Sequence, residues 1–211
     1  MPHHFKPSRS GKPGRSPAPA RLPGRLRIIG GQWRSRVLTF PDAEGLRPTA
    51  NRVRETLFNW LGQTLHGKRC LDLFSGSGAL GFEAASRGAD EVVMLDNATE
   101  VIRALSANKQ NLAASNCRII QVDSLKFLDA SHEHFDVIFI DPPFGSDLLV
   151  AGLPKLAARL AEGGLVYAEW NTALPEIIEA IAPGQWLIVK QGRAGAVHFA
   201  LLQPHIVTPA L

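Results

Sequence analysis

An Asp-Pro-Pro-Phe tetrapeptide closes the apolar run FDVIFI and consists of Asp141, Pro142, Pro143 and Phe144. Proline fixes φ and has no backbone N–H, so this corner is rigid and offers hydrogen-bond acceptors without donors. Such a corner fits the exocyclic amine of a nucleobase. Hydrogen bonds from the amine to the Asp141 carboxylate and the Pro142 carbonyl would favour a pyramidal nitrogen whose lone pair points at a methyl carbon. Phe144 is expected to stack on the base. The alternative is a stiff turn that only ends a strand.

A glycine-rich turn follows an earlier apolar run. Gly76, Gly78 and Gly81 satisfy the pattern GxGxxG, and Asp96 lies 20 residues beyond Gly76. This is the separation expected for a carboxylate that holds ribose hydroxyls, so the pattern predicts a nucleotide-like ligand. The alternative is a tight connection between a strand and a helix.

Asp72 lies near the end of CLDLF, the apolar run that precedes the glycine-rich turn, and its charge indicates which ligand would bind. A dinucleotide would place its pyrophosphate beside this carboxylate, whereas S-adenosylmethionine would bring a sulfonium and an ammonium group. Asp123 ends the third strand and could accept a hydrogen bond from the adenine amine. Both are open to a plainer interpretation as strand-end or loop carboxylates. The residues expected to bind the cofactor are Asp72, Phe74, Gly76, Ser77, Gly78, Asp96 and Asp123.

Short apolar runs alternate with helical segments after Gly67, which predicts an α/β fold with a doubly wound, mostly parallel sheet. The expected strands are CLDLF, EVVMLD, CRIIQVD, DVIFID, LVYAEW, WLIVK and VHFALL. The expected helices cover residues 77–87, 99–111, 147–160 and 174–181, with only a short polar turn before DVIFID. Six residues join the last two strands, too few for a crossover, so these strands should form an antiparallel hairpin.

Positive charge is concentrated at the front of the chain. Residues 1–54 carry 12 Lys and Arg against Asp42 and Glu44, whereas the remainder is net negative. We expect a disordered basic tail at 1–25, an RNA-binding hairpin and helix at 26–66, and the catalytic domain at 67–211. Thr49 is expected to cap the helix. The predicted RNA-binding residues are Arg27, Trp33, Arg34, Arg36, Arg47, Arg52 and Arg54. The alternatives are a solubilising tail, a merely solvated basic face and, for Trp33, a place in a local core.

Composition excludes several classes of protein. Cys70 and Cys117 both lie in apolar strands, which excludes a disulfide framework and a cysteine metal cluster and fits the cytoplasm. The histidines have no metal-ligand spacing, and no apolar run approaches the roughly 18 residues of a membrane helix. We therefore expect a cytoplasmic protein that uses neither a metal nor a membrane. We also expect it to be a monomer.

Four segments together resemble the bacterial RsmD family of guanine-N2 methyltransferases that act on 16S ribosomal RNA. They are RIIGGQWRSRVLTF, Leu46–Leu61, Leu71–Ala89 and Phe135–Phe144, and the resemblance covers about residues 26–203. The first two are the specific ones, because neighbouring methyltransferase families share the others. Asp96 stands where glutamate is common, and the first 25 residues look like an added tail.

The resemblance implies a Rossmann-like seven-stranded sheet whose last strand is antiparallel, with S-adenosyl-L-methionine on the residues named above and the target guanine at Asp141–Phe144. The substrate would be 16S rRNA, free or in the assembling 30S subunit. Three other functions remain open: a DNA adenine-N6 methyltransferase, an NAD-dependent oxidoreductase, and a nonenzymatic RNA-binding or ribosome assembly protein.

Overall fold

The computed structural model describes residues 23–41, 49–143 and 145–205, which contain nine strands and six α-helices. The strands are β1 (Gly24–Arg27), β2 (Val37–Phe40), β3 (Arg69–Asp72), β4 (Glu91–Asp96), β5 (Cys117–Gln121), β6 (Phe135–Ile140), β7 (Leu160–Trp170), β8 (Trp186–Ala194) and β9 (Val197–Pro204). The helices are α1 (Asn51–Leu61), α2 (Ala79–Ser86), α3 (Thr99–Leu112), α4 (Ser124–Ala130), α5 (Leu148–Leu156) and α6 (Leu174–Ile181).

Seven of the strands form one sheet in the order β5-β4-β3-β6-β7-β9-β8. Neighbouring strands from β5 to β7 are parallel, whereas β9 runs antiparallel to both β7 and β8. A two-residue turn joins β8 to β9, and its first residue, Gly195, has a φ of 63°. This topology confirms the predicted α/β fold and its antiparallel last strand.

Both faces of the sheet are covered by apolar side chains. Successive strand residues point to opposite faces, so Cys70 packs towards α1, α2 and α3 while Leu71 packs towards α4, α5 and α6. Both are fully buried, as are Val92 and Val93 of β4. This double burial explains why the strands have near-continuous apolar sequences.

Two connections differ from the sequence prediction. Residues 124–130 form α4, where only a polar turn was expected, because the Asp123 side chain accepts a hydrogen bond from the Lys126 amide (3.0 Å) and caps a helix of seven residues. The helix predicted for 147–160 is shorter, since α5 ends at Leu156 and is followed by one 3₁₀ turn, Ala157–Arg159. Strand β7 then begins at Leu160 and continues through the glycine pair that was expected to end the helix.

The N-terminal segment is a hairpin followed by a helix. Strands β1 and β2 pair antiparallel, and Gly24 and Arg25, which were expected in a disordered tail, belong to β1. Residues 1–22 lie outside the described residues. Ala50, not the predicted Thr49, occupies the N-cap position of α1, and the Thr49 hydroxyl donates a hydrogen bond to Asp141 instead. No helix in the described part of the chain is long and apolar enough to cross a membrane.

A buried carboxylate fastens this hairpin to α2. Glu83 accepts hydrogen bonds from the amides of Ile29 and Gly30, both at 2.8 Å. It also forms ion pairs with Arg87 (2.9 Å) and Arg54 (3.5 Å). The side chain of Arg54 is buried, so the prediction that it contacts RNA is wrong: its charge is used inside the protein.

Candidate active site

A cleft of about 740 Å³ opens at the carboxyl edge of the sheet, where β3, β4, β6 and β7 end. Ligands of open parallel sheets bind at this edge because the strand ends and the following turns leave a crevice there. The cleft is lined by most of the residues that the sequence singled out for chemistry, namely Asp72, Phe74, Gly76, Ser77, Asp96, Asp123, Asp141, Pro142 and Pro143. Phe144 lies outside the described residues.

The glycine turn is held by two carboxylates. The amide of Gly76 donates to Asp96 Oδ2 (3.1 Å), and the amide of Gly81 donates to Asp72 Oδ2 (3.0 Å). Gly78 has a φ of 77°, and a Cβ added there would lie 2.6 Å from the Phe82 ring. Gly78 itself does not line the cleft, so its contribution is to let the backbone turn into α2.

The cleft is strongly acidic. Asp72 is 2% exposed, and its burial raises its pKa to about 7 against the lowering effect of the Gly81 amide. The nearby charges of Asp141 and Asp96 raise the pKa of Asp72 further. No Lys or Arg is found among the described residues that line the cleft. A ligand with positive charge would relieve this repulsion, whereas a pyrophosphate would find no cationic partner there.

Asp96 is the last residue of β4, and Asp123 lies on the turn after β5. The second oxygen of Asp96 accepts a hydrogen bond from the amide of Ala98 (2.9 Å), which fixes the carboxylate at the cleft wall. Asp123 caps α4 and also lines the cleft.

The carboxylate of Asp141 receives a hydrogen bond from a residue 92 positions earlier in the chain. Thr49 Oγ1 donates to Asp141 Oδ2 at 2.9 Å. Burial raises the pKa of Asp141, and this hydrogen bond lowers it. The N-terminal segment therefore contributes directly to the corner that was predicted to receive a base.

Sequence reasoning missed one further buried carboxylate in the cleft. Glu169 lies near the end of β7 and is 4% exposed, and the hydroxyl of Tyr167 donates to its Oε2 at 2.7 Å. Burial raises the pKa of Glu169, and the negative charge of Asp141 raises it further. An acidic residue inside the apolar run LVYAEW was the signal that could have identified it.

Comparison with known proteins identifies the family to which the chain belongs. Residues 26–203 match the family model described as "Conserved hypothetical protein 95". The chain is 40% identical over 183 residues to "Ribosomal RNA small subunit methyltransferase D" of Escherichia coli K12, covering 85% of this chain and 90% of the relative. The chain belongs to the RsmD family of methyltransferases. The protein of the same name from Haemophilus influenzae is 41% identical over 184 residues, which is 84% of this chain and 93% of that protein.

A solved structure, "Putative methyltransferase yhhF from Escherichia coli", superposes on this RsmD-family chain with a TM-score of 0.76. The two are 40% identical, and the superposition covers 86% of this chain and 99% of the other.

The predicted RNA-binding residues of this RsmD-family chain divide into two groups. Arg27, Arg34, Arg36 and Arg52 are exposed. Trp33, like Arg54, is buried: it is 9% exposed and packs in the apolar cluster under the hairpin, so it offers no stacking surface. Arg47 lies outside the described residues. Among the described residues, four of the predicted arginines therefore lie at the surface.

Proposed function

We propose that this chain transfers a methyl group from S-adenosyl-L-methionine to the exocyclic N2 amine of a guanine in 16S ribosomal RNA. The observation that carries this proposal is the pairing of two features at one sheet edge. One is an acidic cleft with no Lys or Arg among the described residues that line it. The other is the corner of hydrogen-bond acceptors formed by Asp141 and Pro142. Relatives named for methylation of small-subunit ribosomal RNA support the substrate class.

The residues of the cleft fit the proposed cofactor. Asp96 would accept hydrogen bonds from the ribose hydroxyls, and Asp123 would accept one from the adenine amine. The buried charge of Asp72 would stabilise the cationic groups, and the amides of the glycine turn would receive the carboxylate. S-adenosylmethionine supplies a methyl carbon that is electrophilic because it is attached to a positively charged sulfur.

Asp141 and Pro142 are proposed to orient the amine. Its two protons would bond to the Asp141 carboxylate and the Pro142 carbonyl, so the nitrogen lone pair is directed at the methyl carbon. As the nitrogen–carbon bond forms, the carbon–sulfur bond breaks and its electron pair stays on sulfur. The methylated nitrogen then loses one proton. Burial raises the pKa of Asp141, which makes this carboxylate a better acceptor for that proton.

The exposed arginines of the hairpin and α1 are proposed to hold the RNA. Arg27, Arg34, Arg36 and Arg52 would contact phosphates, which fixes the position of the RNA without reading its sequence. The target base must leave its stack to reach the cleft. This costs a few kcal/mol and less in a loop than in a duplex.

Transfer of a tritiated methyl group tests the proposal. The acceptors are 30S subunits lacking the modification, naked 16S rRNA and duplex DNA, and the product nucleoside is identified by mass spectrometry. We expect N2-methylguanosine from an RNA acceptor. N6-methyladenosine in DNA, or no transfer to any acceptor, would contradict the proposal.

The Asp141→Ala variant tests the role of the corner. It is expected to lower the transfer rate by about 100-fold or more, while calorimetry still detects cofactor binding. Asp147→Ala is the matched control, since Asp147 is exposed and its side chain makes no capping hydrogen bond to α5. Equal transfer rates for Asp141→Ala and the unaltered chain would refute the role of Asp141.

A further inference from the structure

Asp141 directly follows the end of β6, and Glu169 lies on the neighbouring strand β7. Strands β6 and β7 are parallel, and Ile140 is in register with Ala168. The residues that follow this pair, Asp141 just beyond β6 and Glu169 on β7, are therefore carboxylates at about the same level. Residues in register on adjacent strands point to the same side of a sheet. Both carboxylates line the cleft, as this geometry requires.

Each carboxylate is anchored through one oxygen. Tyr167 donates to Glu169 Oε2 at 2.7 Å, and Thr49 donates to Asp141 Oδ2 at 2.9 Å. Within the described residues, the other oxygens, Glu169 Oε1 and Asp141 Oδ1, have no hydrogen-bond partner. Two fixed acceptors thus stand next to each other, and the Pro142 nitrogen beside them cannot donate.

Guanine carries the base edge that matches three acceptors. Its N2 amine offers two protons, and the adjacent ring nitrogen N1 carries a third. In adenine and cytosine the ring nitrogen next to the amine is an acceptor, so a second carboxylate would face a lone pair. A buried site built to accept a hydrogen bond discriminates strongly against a ligand that lacks the donor, because its own polar group is left unpaired.

We propose that Glu169 accepts a hydrogen bond from N1–H of the target guanine while Asp141 and Pro142 hold the N2 amine, so that Glu169 selects guanine over adenine and cytosine. The inference rests on the proposed function and adds to it the residue that distinguishes the base. The hydroxyl of Tyr167 keeps the carboxylate of Glu169 in place for this contact.

A substituted RNA tests the contact without altering the protein. The guanosine that the unaltered chain methylates is mapped first and then replaced by 2-aminopurine riboside in ligated 16S rRNA. 2-Aminopurine keeps the N2 amine but presents N1 as an acceptor. We expect kcat/KM for methyl transfer to fall by about 100-fold. Equal kcat/KM for the two RNAs would overturn the inference.

Variants at Glu169 assign the discrimination to this residue. Glu169→Gln and Glu169→Ala should lower kcat/KM for guanosine RNA by about 100-fold and reduce the preference over 2-aminopurine to within about threefold. Glu162→Gln, which neutralises an exposed carboxylate on the same strand, should keep both values. Calorimetric binding of S-adenosylmethionine shows that each variant is folded. A Glu169 variant with the full preference would overturn the inference.

The two proposals fail in different ways. If the unaltered chain forms no N2-methylguanosine in RNA, the proposed function is wrong. If it forms N2-methylguanosine but accepts 2-aminopurine equally well, or if Glu169→Gln retains the preference, only the role of Glu169 is wrong.

Discussion

Replacing Glu83 with alanine should loosen the basic hairpin from the methyltransferase core. In the structure this one carboxylate accepts hydrogen bonds from the amides of Ile29 and Gly30 and pairs with Arg54 and Arg87. Burial lowers the pKa of Arg54, and the charge of Glu83 opposes this effect. The variant therefore leaves a buried guanidinium without its counterion and two amides without their acceptor.

The expected loss of stability follows from these contacts. Removing one partner of a buried ion pair costs about 3–5 kcal/mol, because the remaining charge is uncompensated. Each unsatisfied amide would add about 1–3 kcal/mol if it were fully buried, and the two amides add less because they are only partly buried and water can reach them. We expect the free energy of unfolding to fall by about 4–6 kcal/mol, which corresponds to a decrease in Tm of about 10–20 °C in a chain of this size. Glu83→Gln keeps one acceptor oxygen and should lose about half as much.

Urea and thermal unfolding, followed by circular dichroism, measure the loss. Glu162→Ala is the control, since that carboxylate is exposed, and it should change Tm by no more than about 2 °C. RNA affinity should fall in parallel with stability, because the arginines of the hairpin are no longer held in fixed positions relative to the rest of the protein. A decrease in Tm of less than about 2 °C for Glu83→Ala would contradict this role of Glu83. It would mean that Arg54 reaches solvent and that apolar packing alone holds the hairpin.

Three further results are expected. Thr49→Val removes a hydrogen bond that lowers the pKa of Asp141, so the pH profile of single-turnover methyl transfer should move to higher pH. The rate near neutral pH should then fall about tenfold. An unchanged profile would contradict this expectation. Burial raises the pKa of Asp72 to about 7, so S-adenosylmethionine binding should weaken as the pH falls through that value. Calorimetry should show this pH dependence in the unaltered chain but not in Asp72→Asn. The same pH dependence in both proteins would contradict the role of Asp72. Reversing Arg34 and Arg36 to Glu should weaken RNA binding and reduce the slope of log K against log salt by about 1.5 or more; identical salt titrations would count against a role for these residues.

The sheet was predictable because its strands are short apolar runs separated by helical segments or, at the end, by six residues. The departures lie in one short helix, α4, and at the junction of α5 with β7. Helix α4 has seven residues, too few to show a 3.6-residue period, and only the cap formed by Asp123 identifies it. The start of β7 was hidden by Gly163 and Gly164, which usually end a helix but here lie within a strand.

Much of the candidate site was predictable because parallel strands end at one edge, so carboxylates at strand ends in the sequence become neighbours in space. The contact of Thr49 with Asp141 was not predictable, since it joins residues 92 positions apart in the sequence. The basic surface was only partly predictable. Composition counts charges, but it does not reveal that Arg54 faces Glu83 or that Trp33 packs under the hairpin.

The N-terminal segment connects the proposed RNA-binding surface to the proposed chemistry. Glu83 fastens the hairpin that carries the exposed arginines, and Thr49, just before α1, donates to the carboxylate that is proposed to orient the amine. Arg54 of α1 donates a hydrogen bond to the carbonyl of Arg27 in the hairpin and pairs with Glu83 of α2, so the hairpin, α2 and α1 are bonded together. Because the residue before α1 is bonded to Asp141, this network links the position of the proposed RNA-binding arginines to the position of the acceptor corner. A variant that shifts the hairpin should therefore lower kcat as well as RNA affinity, whereas loss of a phosphate contact alone should lower only affinity.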